Sequence, residues 1–110
     1  MENRRADDGI FFKVKNRFEK IKFEDIIWVQ AKDIYSVIKT KDARFLVSHT
    51  LRDIDEKLSQ YHSFLRVHRS YIVNLKKISA IEDGNLLVES EYIPVGQSYK
   101  EVLMQNLLFM

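Results

Sequence analysis

Apolar and polar positions alternate with a period of two through most of the chain. Ile10-Phe11-Phe12-Lys13-Val14-Lys15 and Phe18-Glu19-Lys20-Ile21-Lys22 set apolar against charged residues as a half-buried strand requires, and they predict a hairpin around Asn16-Arg17. Ile26 to Ala31 (IIWVQA) is more continuously apolar, which predicts a strand covered on both faces. Ile34 to Thr40 follows the polar pair Lys32-Asp33, and Ala43 to Ser48 follows a turn at Lys41-Asp42. The period changes at Thr50. Thr50-Leu51-Arg52-Asp53 matches a capping box with Asp in the place of Glu, and Leu51, Ile54 and Leu58 recur at helical spacing, so residues 51–60 are expected to form a short helix. Five short β-rich runs come next: Phe64 to Val67, Tyr71 to Asn74, Ile78 to Glu82, Leu86 to Glu89 and Tyr92 to Val95, with Asp83-Gly84-Asn85 as a hairpin turn. Pro94 cannot donate a ladder hydrogen bond and should sit on an edge or at a bulge. Ser98 and Glu101, followed by Val102, Leu103, Leu107 and Leu108, predict a closing helix over Ser98 to Met110.

With 110 residues, 45% of them hydrophobic, the chain has room for one core and not two. Residues 1–9 (MENRRADDG) read as a tether and residues 10–110 as the folded domain. No cysteine is present, which removes disulfides, thiolate nucleophiles and thiolate metal sites and fits a reducing compartment; the cytoplasm is the expected location. No apolar run approaches the roughly 20 residues of a membrane span, and the amino end lacks the apolar stretch of a secretory signal. His49, His62 and His68 do not have the spacing of a metal motif, and three scattered glycines cannot build a phosphate cradle. Ser70 beside His68 lacks the glycines of a hydrolase elbow. Neither an enzyme nor a cofactor is expected.

Charge is informative only when resolved along the chain. The total is +2, from 18 Lys and Arg against 16 Asp and Glu. Between Tyr61 and Ile81, however, there is no acid, while Arg66, Arg69, Lys76 and Lys77 supply four positive charges. A local basic segment of this kind is the footprint of a polyanion binder, because each cation placed near a phosphate releases a counterion. If Phe64 and Val67 face the core around an irregularity, Arg66, His68 and Arg69 point outward at a strand end, where a rigid scaffold can hold binding residues.

The run Phe64-Leu65-Arg66-Val67-His68-Arg69-Ser70-Tyr71-Ile72-Val73-Asn74-Leu75, with Ile78 and Ile81 after it, resembles the central signature of the LytTR family of bacterial DNA-binding domains. Asp25 to Val29, Thr50-Leu51 and Ile93-Pro94-Val95-Gly96-Gln97-Ser98-Tyr99 support the likeness, which covers roughly residues 10–108. The resemblance implies a mainly β fold of several small antiparallel sheets in an elongated arrangement, with one or two short helices. It also implies a transcription-regulating output domain of a two-component response regulator, with a receiver or sensor domain upstream, and two copies binding direct repeats of double-stranded DNA. Bases would be read through loops and strand ends. No helix here is basic: residues 51–60 carry Arg52 and Lys57 against Asp53, Asp55 and Glu56.

Carried over residue by residue, the resemblance places a first reading loop near Tyr35 and Ser36, a second at His68 and Arg69, and a third after Pro94. There Gly96-Gln97 stands where many members have Ser-Arg. Gln favours adenine and Arg favours guanine, so this departure implies an altered base preference. Ser98, Tyr99 and Lys100 are expected to reach phosphates, with Arg66 beside the second loop and Lys39 and Lys13 as outlying contacts. Asn74 is expected to satisfy buried backbone groups, and Trp28, Phe45, Phe64 and Tyr71 to fill the core. The rival reading is a β-rich protein-interaction module that adds a partner strand along the edge at Tyr92 to Val95 and has no affinity for DNA.

Overall fold

The computed structural model describes residues 8–61 and 63–110. It opens with a two-stranded hairpin, β1 (Gly9–Val14) and β2 (Arg17–Lys22), paired so that Phe12 stands opposite Glu19 and Ile10 opposite Ile21. The turn is Lys15-Asn16, one residue earlier than expected, and Lys15 carries the positive φ of 57° that the tight reversal requires. The strand also begins earlier than the sequence reading allows. Gly9 pairs with Lys22, and the Asp8 carbonyl accepts from the Phe23 N–H at 3.0 Å, so both residues belong to the domain. A Cβ at Gly9 would stand 2.7 Å from the Ile21 carbonyl oxygen, which explains glycine there. The remainder of the expected tether, residues 1–7, lies outside the described residues.

A five-stranded antiparallel sheet forms the centre: β3 (Ile26–Lys32), β4 (Tyr35–Thr40), β5 (Arg44–Val47), β6 (Phe64–His68) and β7 (Tyr71–Asn74), in spatial order β5-β4-β3-β7-β6. Helix α1 (Leu51–Leu58) and the β1–β2 hairpin cover one face, burying Val29, Ile38, Ile54, Leu58, Ile72 and Phe12 together. A three-stranded sheet of β8 (Ile78–Glu82), β9 (Asn85–Val88) and β10 (Glu91–Pro94), with helix α2 (Lys100–Gln105), covers the other through Trp28, Val67, Val73, Leu86, Val88, Ile93 and Leu103. Double coverage is the reason Ile26 to Val29 can all be apolar and all be buried. The molecule is a slab of 41 × 37 × 25 Å.

Local chemistry sets the element ends. The Thr50 hydroxyl accepts from the Asp53 N–H at 3.2 Å and starts α1, which stops at Leu58 rather than at residue 60. Asp83 and Gly84 both take positive φ, 50° and 77°, in the two-residue turn that joins β8 to β9. Pro94 is the last residue of the edge strand β10, as its missing N–H demands. The closing helix is shorter than expected. Ser98 lies inside a 3-10 turn over Gln97–Tyr99 and caps nothing, and the Asn106 side chain ends α2 by donating to the Val102 carbonyl at 2.8 Å. Asn74 is buried as expected, its amide donating to the Ile26 carbonyl at 2.9 Å and its oxygen accepting from the Lys76 N–H at 3.1 Å. Among the described residues no helix is long and apolar enough to cross a membrane.

Candidate nucleic-acid interface

The site begins with a β-bulge. Arg66 pairs with Ile72 and His68 with Tyr71, so Val67 is an extra residue with no ladder partner, its side chain fully buried. A bulge bends its strand and re-aims the residues beside it. Here it sets up the short turn through Arg69 and Ser70, where Arg69 is exposed. The turn is braced from within. The Ser70 N–H donates to His68 Nδ1 at 3.0 Å, and the His68 ring meets Tyr71 edge-on with centroids 5.8 Å apart. With Nδ1 accepting, the neutral imidazole carries its proton on Nε2, leaving a donor for a ligand. The Arg66 guanidinium donates to the carbonyls of both His68 (3.4 Å) and Arg69. The alternation predicts that Arg66 projects outward to DNA; instead its donors are turned back onto the loop.

The bulge also recruits the second loop. The Val67 carbonyl, released from the ladder, accepts from the Gly96 N–H at 2.8 Å and ties the segment after β10 directly to β6. A Cβ at Gly96 would come within 3.0 Å of the Tyr99 ring, so the packing of Tyr99 against this segment is tightest with glycine; the His68 Cα, at 3.6 Å, would be in ordinary contact. Gln97, Ser98 and Lys100 are exposed beside them, while Tyr99 is half-buried against Gly96. The third loop joins through the sheet: the Ala31 N–H donates to the Ser70 carbonyl at 2.9 Å, so the β3–β4 tip stands at the same end as the Arg69-Ser70 turn. That tip is Asp33-Ile34, with Asp33 at φ 58°, and it presents Ile34 (69% exposed) and Tyr35 (41% exposed) to solvent. Arg69, His68, Gln97, Ser98, Lys100 and Tyr35 are therefore brought to one end of the central sheet.

Other expected contacts are not. Ser36 is completely buried, and its hydroxyl donates to the His49 carbonyl at 2.8 Å, pinning the end of β5 to β4; it cannot touch a base. The period of two sends every second residue of a strand inward, and Ser36 is the inward neighbour of the exposed Tyr35. Lys39 pairs with Trp28 and Arg44 on the other half of β4 and lines a cleft against β9, roughly 13 Å along the strand from Tyr35. The basic segment itself is divided. Lys76 and Lys77 follow β7 to the opposite end of the sheet, beside Lys22 and Glu24, so only its Arg66–Arg69 half serves the loops. Lys13 donates its N–H to His49 Nε2 at 3.4 Å and holds its ammonium over the Phe18 ring, 5.1 Å from the centroid, on the hairpin.

One of these features had a partial signal in the sequence and another had none. The Asp33-Ile34 tip was visible as the polar pair Lys32-Asp33, displaced by one residue. The bracing role of Arg66 had none, because it depends on which way the bulge turns the chain. Behind Arg66, Asp55 on α1 has its carboxyl pushed above the usual range by burial, an effect that the Arg66 charge opposes.

The arrangement offers a guanidinium, an imidazole N–H, a carboxamide, a hydroxyl and an ammonium on loops held by backbone hydrogen bonds. These groups suit base edges and phosphates, and the one that stands on a helix is the ammonium of Lys100, at the first residue of α2. Known proteins agree. The LytTr DNA-binding domain family matches residues 16–108. The sensory transduction protein LytT of Bacillus subtilis is 36% identical over 90 residues, and that of Bacillus cereus 33% over 93. The heme-containing CO-sensing transcriptional regulator RcoM 2 of Paraburkholderia xenovorans is 35% identical over 91. These matches take in 76%, 79% and 76% of this chain but only 37%, 37% and 34% of the relatives. A solved LytTr DNA-binding domain from Bacillus cereus superposes with a TM-score of 0.77 at 26% identity, covering 94% of this chain and all of that one. The loops at the end of the central sheet, the signature that builds them and the matched fold together make this chain a member of the LytTR family of DNA-binding domains.

Proposed function

We propose that this DNA-binding domain reads specific bases of a duplex as the output domain of a bacterial two-component response regulator, working in the cytoplasm under an upstream receiver or sensor domain. The observation that carries the reading of bases is the convergence of three loops around the Val67 bulge: Gly96 bonded to Val67, Ser70 bonded to Ala31, and Arg69 exposed between them. In this reading Arg69 pairs with guanine or enters a narrow minor groove, Gln97 addresses adenine, and His68 Nε2–H, Ser98 and Lys100 hold phosphates. Tyr35 flanks the site from the β3–β4 tip. Two copies occupy direct repeats, each placing its loops on one face of the duplex.

Selection from randomised duplexes tests this directly. A defined motif is expected, found as a direct repeat, and Gln97→Arg should move one of its positions toward guanine. Arg69→Ala should cost about 1–3 kcal/mol of specific affinity and relax one position. Lys57→Ala, on the acidic helix, should change little. Equal losses from Arg69→Ala and Lys57→Ala would mean that the docking end is wrongly assigned.

A further inference from the structure

The outward face of the β1–β2 hairpin takes no part in the loop site and is composed in an unusual way. Strand pairing puts Phe11 opposite Lys20, Lys13 opposite Phe18 and Gly9 opposite Lys22, all on the side away from the core, while Phe12 and Ile21 turn inward and are buried. Phe11 and Phe18 are 60% and 64% exposed, large values for aromatic rings on strands. They are diagonal neighbours in the pairing, roughly 7–8 Å apart in backbone position, each with a lysine directly across from it. Lys15 extends the charge to the turn. Among the described residues, Asp8 pairs with Lys20 at 2.8 Å, and Asp25 and Asp42 lie across a cleft from Lys20 and Lys22. No acid lies on the strand face itself.

From this face we infer a second nucleic-acid site, one that takes an unpaired strand across the hairpin. Lysines alone would suit any polyanion, but two exposed rings add a requirement. Phenylalanine gains little from the phosphates of a duplex, whose bases are stacked on each other; an unpaired strand offers base faces to the rings and phosphates to the lysines at once. Sheets that bind single strands use the same combination of aromatic platforms on strands and a basic surround. The site is also separate from the loops. Only the Lys15 tip of the hairpin approaches the loop end, through Ser48, whose N–H donates to the Lys13 carbonyl at 3.1 Å. Lys22 lies roughly 20 Å away along the strands, on a face turned from the sheet end. The inference does not depend on which bases those loops read.

The test is fluorescence anisotropy with a labelled 12-nucleotide oligo(dT), which forms no duplex, alongside the duplex chosen by selection. The whole chain should bind the oligonucleotide at about 50 mM salt and lose it as salt rises, with a log-log slope of roughly −0.7 per neutralised phosphate. The double variant Phe11→Ala, Phe18→Ala should weaken oligonucleotide binding by at least about tenfold and leave the duplex unaffected. Arg69→Ala should do the opposite, and Phe18→Trp should retain the oligonucleotide. Both rings are exposed, so the variants should fold, and circular dichroism would verify it. No oligo(dT) binding at low salt would overturn the inference. So would wild-type oligonucleotide affinity in the double alanine variant, which would reduce the face to unspecific charge, or an equal loss on the duplex, which would join it to the loop site. Capture by vesicles containing anionic phospholipid, without oligonucleotide binding, would assign the face to a membrane surface and overturn it as well.

Discussion

The Arg66 guanidinium donates to the carbonyls of His68 and Arg69 and so holds their turn in shape, and in the proposed function it braces the turn in place of touching a phosphate. Salt dependence separates this from a phosphate contact. Arg66→Gln should lower specific affinity on the order of tenfold, the worth of hydrogen bonds made by a charged group, with the slope of log affinity against log salt unchanged. Lys100→Ala, which removes a cation proposed to hold a phosphate, should lower that slope by about 0.9. A slope change of that size from Arg66→Gln would return it to the contacting residues. Asp55 supplies a second test at this scale. Below the usual carboxylate range the group is protonated whether the chain is folded or not; as pH rises past that range the unfolded chain ionises first, so stability falls, and the loss is complete once pH exceeds the raised folded value. Asp55→Asn should therefore raise the melting temperature at neutral pH, and the gap should close in acid. A constant gap across pH would remove the burial argument. Ser36 belongs here too: its exclusion from the interface follows from one residue of strand register.

Among the elements, the β6 bulge does most to build the site, since the unpaired Val67 carbonyl captures Gly96. Gly96→Ala should push Tyr99 and the loop away and reduce duplex affinity while the melting temperature changes little, which calorimetry and anisotropy on one preparation would check. The short helix α1 rests on its cap, and Thr50→Ala should cost about 1 kcal/mol in denaturant unfolding. Most of these elements could be read from the alternation of residues: all ten strands among the described residues were legible to within a residue or so, and Pro94 announced its edge. The closing helix was overextended because Val102, Leu103, Leu107 and Leu108 keep helical spacing, yet only Leu103 is buried by a partner. Spacing records what could pack, and packing decides what does.

Across the whole molecule, the central sheet is a partition. Each face carries its own core, and Ile38, fully buried between β4 and α1, should cost about 2–5 kcal/mol when cut to alanine. The same partition redistributes the charge. A basic segment that is continuous in sequence is cut in two by β7, which carries Lys76 and Lys77 to the far end, while lysines of the hairpin with no mark in the charge count gather on one surface. By itself the sequence determined the strand succession and the family, because alternation, turn chemistry and an ordered signature are local properties of the chain. Only the tertiary structure decided that Ser36 is buried beside Tyr35, that Lys39 lies on the other half of β4, that Arg66 turns back onto the Arg69 turn, and that two phenylalanines lie open among lysines. Those outcomes depend on which strands pair, in what register, and which face remains uncovered, and no local pattern records them.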